Sequence, residues 1–234
     1  MEVQIAVAKI NKYASSESGD TVEVIERPNG GLSVVIADGQ TSGKGAKQIS
    51  NQVVRKVITL LSEGVRDGAA ARAASDSLYT ERKGKVSATL NIVSVDMLTS
   101  TLVITRNNPA PVLISSAGKI HTLGEDSKPI GLYRDTRPLI NEIPLEPRLT
   151  VVIFTDGLVH AGSRYGDSMD VAIDLQAMLE EECPSPVDIA DKLLQQALQL
   201  DQGRPCDDIS VAVVQITSHE GDLVRRLSVR LPLT

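Results

Sequence analysis

Five aspartates stand where acidic side chains are costly to place. Asp38 follows the apolar run 32–37 and precedes Gly39. Asp156 follows the run 151–154 across Thr155 and precedes Gly157. Asp20 follows Ser18-Gly19 and precedes another run, and Asp207-Asp208 opens the run 209–216. A carboxylate beside a buried apolar run is drawn into the protein, where an isolated charge is expensive. Several of them together repel, and their pKa values rise unless a cation neutralises them. Oxygen donors with no His or Cys among them suit Mg²⁺, Mn²⁺ or Ca²⁺ better than zinc. The glycine after Asp38 lets a backbone carbonyl approach an ion, because no Cβ stands in the way. One Asp-Gly after a strand is usually a turn. Two of them plus an Asp-Asp pair point to a metal site but do not by themselves establish one.

The composition narrows the classes of partner. Net charge is −6 and no long basic stretch occurs, Arg225-Arg226 being the densest pair near the C-terminus. That argues against nucleic acid, whose backbone is held by clustered Lys and Arg. Aromatics are 2% of the chain, with one Phe and no Trp, so a stacking platform for bases or sugars is not expected. The 41% apolar fraction supports a real core built from Val, Ile, Leu and Ala. Cys183 and Cys206 make neither a disulfide framework nor a zinc cluster. The N-terminus lacks a basic segment followed by an apolar one, and no apolar run approaches the roughly 20 residues of a membrane span. The expectation is a cytoplasmic protein with no membrane partner.

The elements that would position the aspartates are mostly strands, and they come in pairs. Runs 22–26 and 32–37 flank Pro28-Asn29-Gly30-Gly31, a hairpin signal. Runs 88–95 and 101–105 form a second pair, and 112–115 and 120–123 a third. Runs 151–154 and 209–216 are apolar enough to be central strands buried on both faces. Residues 223–231 are expected to add a terminal strand. Helical spacing appears at Ala46, Ile49, Val53, Val57 and Leu61, and again at Ala190, Leu193, Leu194, Ala197 and Leu198. Shorter helices are expected over 69–78 and 169–179. Helices grouped early and late, with antiparallel strands between, give an α+β class: a β-sandwich with helices on its outer faces. No repeat or linker is visible, so residues 1–234 read as one domain, with 217–234 a C-terminal extension.

These motifs, in this order, resemble the metal-dependent (PPM, type 2C-like) protein phosphatases. The likeness is carried by Ser18-Gly19-Asp20, by Asp38-Gly39 with Gly43-Lys44-Gly45-Ala46, by Thr155-Asp156-Gly157, and by Asp207-Asp208-Ile209-Ser210. Asn107-Asn108-Pro109-Ala110-Pro111 and Pro129-Ile130-Gly131-Leu132 resemble intermediate landmarks of the bacterial stage II sporulation E branch, which includes RsbU and RsbX. The resemblance implies an αββα sandwich and two divalent ions, Mn²⁺ or Mg²⁺. It implies that Asp38 bridges the ions, that Asp156 and Asp207 complete one, and that Asp20 and the Gly39 carbonyl complete the other. Asp208 is then a supporting or weak ligand. It also implies phosphomonoester hydrolysis by a metal-activated water. The substrate would be a phosphorylated regulatory protein, such as an anti-sigma antagonist or a stressosome component. The short chain looks more like RsbX than like members carrying sensor domains.

The chain departs from the pattern in three places. Lys44 stands where a His is common, the His of the central Asn-Ala-Gly-His turn is missing, and His160 occupies a position that is often acidic. No general acid is therefore named. The rival reading is a catalytically inactive, phosphatase-like module that recruits partners, which would have no need to keep four ligand-type aspartates. A phosphate-binding P-loop at residues 39–44 fails on spacing, with Gly45 where Ser or Thr should stand. His121, His160 and His219 are scattered and read as surface or turn residues.

Overall fold

The computed structural model describes residues 1–181, 184–219 and 221–232, so Cys183 lies outside the described residues. Two five-stranded antiparallel sheets face each other. The first runs β1 (Glu2–Ile10), β10 (Ile209–Thr217), β9 (Thr150–Phe154), β6 (Val112–Ser116) and β7 (Lys119–Leu123). The second runs β2 (Asp20–Glu26), β3 (Leu32–Gly39), β4 (Ala88–Asp96), β5 (Thr101–Asn107) and β8 (Leu139–Pro144). Helices α1 (Gly43–Ser62) and α2 (Asp67–Arg82) cover the second sheet. Helices α4 (Val171–Glu181) and α5 (Pro186–Leu200) cover the first, and the single turn α3 (Asp156–Val159) follows β9. The class is α+β, an αββα sandwich, as the sequence implied.

Side chains alternate across a strand, so a strand with both faces covered reads as an unbroken apolar run. In β3, Val34 and Ile36 enter the layer between the sheets, against Val151, Ile153, Ala212 and Val214. Val35 and Ala37 face outward onto Val53, Val57 and Leu61 of α1 and Ala74 and Leu78 of α2. On the other side, Val152, Phe154, Val211 and Val213 pack on Leu175, Ile189, Leu193 and Ala197. All five residues of the helical spacing read in α1 are buried. Helix α5 opens with a capping box, Ser185 with Asp188, and with Pro186 in its first turn. Its apolar stripe is spent on the first sheet. Among the described residues no helix is long and apolar enough to cross a membrane.

The sequence reading needs three corrections. The terminal strand expected over 223–231 does not form; Leu223, Leu227, Val229 and Leu231 are exposed. An alternating pattern supplies no partner by itself, and these residues join neither sheet. Two edge strands were not read as such. In β1 the pattern is blunted by exposed Val7, and nine-residue pairing with β10 creates the strand. In β8 exposure alternates at half-buried and exposed positions only, so little apolar signal remains.

Candidate metal centre

The β2–β3 ladder sets Asp20 directly opposite Asp38. In the other sheet, Phe154 at the end of β9 pairs with Val211 near the start of β10, and Thr155 N donates to Ser210 O at 3.0 Å. Asp156 and Asp207-Asp208 therefore flank the same end of that sheet. Two hydroxyls join the sheets there: Thr155 Oγ1 and Ser210 Oγ both donate to Asp20 Oδ2, at 3.0 and 2.7 Å. Asp208 ties down the preceding loop, its Oδ1 accepting from Lys12 N at 2.8 Å and its Oδ2 from Gly19 N at 2.7 Å. Close packing at this rim depends on glycine. A Cβ on Gly39 would stand 2.1 Å from the Ala46 carbonyl oxygen, and one on Gly157 2.1 Å from that of Asp208. Gly157→Ala should force backbone apart and cost about 3 kcal/mol, read as a Tm drop of roughly 6–12 °C. An unchanged Tm would mean that the β9–β10 rim is loosely packed.

The electrostatics are those of carboxylates held near one another. Burial, reinforced by the charges of Asp20, Asp156 and Asp207, pushes the Asp38 carboxyl up to about 9. Burial also raises Asp20, against the opposing hydrogen bonds from Ser210 and Thr155, and raises Asp207. Asp20 Oδ1 is buried and has no hydrogen-bond partner among the described residues. Behind it, Lys9 Nζ and Lys47 Nζ both donate to the Asp20 carbonyl, at 2.6 and 2.7 Å. Burial and the neighbouring Lys47 lower Lys9 to about 8. Among the described residues no three His, Cys, Asp or Glu side chains form a ready-made chelating group. The aspartates are thus neighbours in charge rather than a closed cage. All-oxygen donors, mutual repulsion and an orphaned buried carboxylate oxygen are nevertheless what a hard divalent cation would satisfy.

The model of the stage II sporulation protein E (SpoIIE) family matches residues 28–217. The chain belongs to this family. It is 20% identical over 214 residues to stage II sporulation protein E of Priestia megaterium, covering 92% of this chain and 36% of that protein. The Bacillus subtilis protein is 21% identical over the same length, and the chain spans 26% of it. The fold is similar to the solved type 2C phosphatase domain, with a regulatory-domain fragment, of SpoIIE from B. subtilis. That match has a TM-score of 0.81 and 19% identity, over 94% of this chain and 64% of that one. RsbX in complex with magnesium matches with a TM-score of 0.70 and 16% identity, over 92% and 96% of the chains. The PstP catalytic domain with two manganese ions matches with 0.68 and 14%, over 92% and 99%.

In this SpoIIE-family chain the ladder sets Asp20 opposite Asp38, Asp208 holds the Gly19 loop, and Asp38 feels the charges of Asp20, Asp156 and Asp207. Histidines 121 and 160 are exposed, and His219 Nδ1 lies 2.8 Å from Glu2 Oε2, at the far end of the β1–β10 ladder. Lys44 is exposed in the first turn of α1. Sequence reasoning passed over several supporting residues. Thr155 and Ser210 lie inside the quoted motifs, so their signal was present. Asn108 lies in the central turn and donates through Nδ2 to Phe154 O at 3.3 Å, bracing β9 just before Asp156. Lys9 and Asp201 carry no local signal. Asp201 is buried, accepts from Gly162 N and Cys206 N, and so fixes the loop leading to Asp207. Burial and Asp201 push the Cys206 thiol up, which suits a packed residue.

Ser210→Ala would remove the shorter of the two bonds to Asp20. We expect Mn²⁺ affinity to fall about 10-fold, the effect of losing a ligand's hydrogen-bonded support. Titration calorimetry measures it, and an unchanged affinity would remove Asp20 from the ligand set.

Proposed function

We propose that this chain is a metal-dependent protein phosphatase that hydrolyses phosphoserine or phosphothreonine in a regulatory protein. The observation that supports this reading is the register that sets Asp20 against Asp38, at a rim where burial and the charges of Asp20, Asp156 and Asp207 push Asp38 up to about 9. Membership of the SpoIIE family and similarity to RsbX and PstP support the same reading. By the resemblance, Asp38 would be held in common by two ions. Asp156 and Asp207 from the first sheet would hold one, and Asp20 with the Gly39 carbonyl the other. Bound Mn²⁺ or Mg²⁺ would offset charge on the phosphoryl oxygens and lower the pKa of an attacking water.

The chain's own residues supply the positioning. Thr155 and Ser210 fix Asp20 through Oδ2, which leaves Oδ1 buried and without a hydrogen-bond partner among the described residues. Asp208 holds the Gly19 loop, and Asn108 holds the end of β9. Lys9 and Lys47 place positive charge behind Asp20, which eases the gathering of so many carboxylates. Phosphoproteins are made where ATP is, so this reading places the chain in the cytoplasm. An anti-sigma antagonist or a stressosome component is the kind of substrate it implies. The test is hydrolysis of a phosphoserine peptide with Mn²⁺ and with EDTA. We expect turnover in Mn²⁺ and none in EDTA. No turnover in either would leave the inactive, partner-recruiting module as the reading.

A further inference from the structure

Beside the aspartate rim a cavity of about 280 Å³ opens between the start of α1 and the end of α2. Gln40, Gly45, Arg82 and Lys85 are among the residues that line it. Gln40 directly follows Gly39, so the cavity begins two residues from Asp38, at most about 7 Å of extended chain. The wall is fixed by bonds between the end of β3 and the start of β4: Gln40 N donates to Ser87 O, and Gln40 Oε1 accepts from Ser87 N, each at 2.9 Å.

Its charge is unlike that of its surroundings. The cavity is lined by two cations and no carboxylate, in a chain of net charge −6 and next to a cluster of aspartates. Neither Arg82 nor Lys85 has an ion-pair partner among the described residues. Helix α1 starts here with no side-chain cap and no acidic residue in its first turn, so the positive end of its dipole adds to the same sign. Ile49 and Val86 give the cavity an apolar part that suits the methylenes of a side chain better than a bare ion.

We propose that this cavity is a subsite for an acidic side chain of the phosphoprotein, one to three residues from the phosphorylated position. The inference rests on the phosphatase reading. With the phosphoryl group at the aspartate rim, the substrate chain crosses Gly39 and Gln40, and a Glu or Asp reaches Arg82 and Lys85. The cavity thereby favours acidic sequence contexts that the aspartate cluster alone would repel.

The test uses two phosphoserine peptides, one with Glu and one with Gln at the three positions on each side of the phosphoserine. Steady-state hydrolysis in Mn²⁺ is measured with wild type and with the Arg82→Gln/Lys85→Gln double variant. We expect wild type to prefer the Glu peptide roughly fivefold in kcat/KM, through KM, as two exposed ion pairs allow. The preference should shrink toward one in the double variant, and in wild type at high salt. Equal handling of the two peptides by wild type, or a preference that survives in the double variant, overturns the subsite. Wild-type hydrolysis of p-nitrophenyl phosphate is the separate check. If that ester is cleaved while the peptides are not distinguished, the subsite is wrong and the phosphatase stands. If no phosphoester is cleaved, the phosphatase reading fails and takes the subsite with it.

Discussion

Asp38→Asn should abolish Mn²⁺-dependent hydrolysis and yet make the metal-free protein harder to unfold. The loss of turnover should reach about 10³-fold or more, since merely supporting partners of metal ligands are worth about 10- to 100-fold. The stabilisation follows from linkage. In the metal-free fold, burial and the charges of Asp20, Asp156 and Asp207 push the Asp38 carboxyl up to about 9. In the unfolded chain an Asp ionises near pH 3.9. A group raised in the fold contributes its full stability below its unfolded pKa and loses it as pH rises through the folded one. At pH 7 Asp38 is therefore a liability that the neutral, similarly shaped Asn lacks. A gain of about 2 kcal/mol corresponds to a Tm rise of roughly 4–8 °C for a chain of this size. Calorimetry of the EDTA-treated variant measures it. An inactive variant with a lower Tm would instead mean that the substitution disturbs the β2–β3 ladder, and the activity loss would no longer speak for a ligand role.

The second large effect is the response of wild type to metal and pH together. Raised pKa values at Asp20, Asp38 and Asp207 all act in the same direction. Without metal, Tm should fall as pH rises from about 5.5 to 8.5, because the unfolded state sheds protons that the fold retains. Mn²⁺ should reverse this. At 100 times its dissociation constant a ligand stabilises by about 2.7 kcal/mol, or roughly 5–10 °C here. Binding requires ionised carboxylates, so the shift between EDTA and Mn²⁺ should grow with pH. A Tm that ignores Mn²⁺, or a shift that is flat across pH, would contradict a shared cation site. Lys9 titrates near the upper end of this window, lowered to about 8 by burial and Lys47. Above that pH the unfolded chain holds a proton that the folded Lys9 has lost, so Lys9 by itself offsets part of the fall.

The central strands were legible because burial on both faces leaves an unbroken apolar run, as in β3, β9 and β10. The edge strands were not. In β1 and β8 the pairing partner, not the residue pattern, makes the strand. The 223–231 segment shows the converse, a strand-like pattern that joins neither sheet. Helices α1 and α5 announced themselves by spacing, since each spends one stripe on a sheet.

At the centre, residue types and motif order in the chain alone picked out Asp20, Asp38, Gly39, Asp156, Asp207 and Asp208, because an acidic residue abutting a buried strand is conspicuous anywhere. What they do to one another was decided in three dimensions. Register sets Asp20 against Asp38, and two sheets bring Asp156 and Asp207 to the same rim. The cross-sheet hydroxyls, the paired lysines behind Asp20 and the cationic cavity beside Gln40 belong to that level as well. They join residues up to 190 positions apart, such as Ser210 and Asp20. Coulomb energy and hydrogen bonding depend on distance in space, which local sequence does not encode.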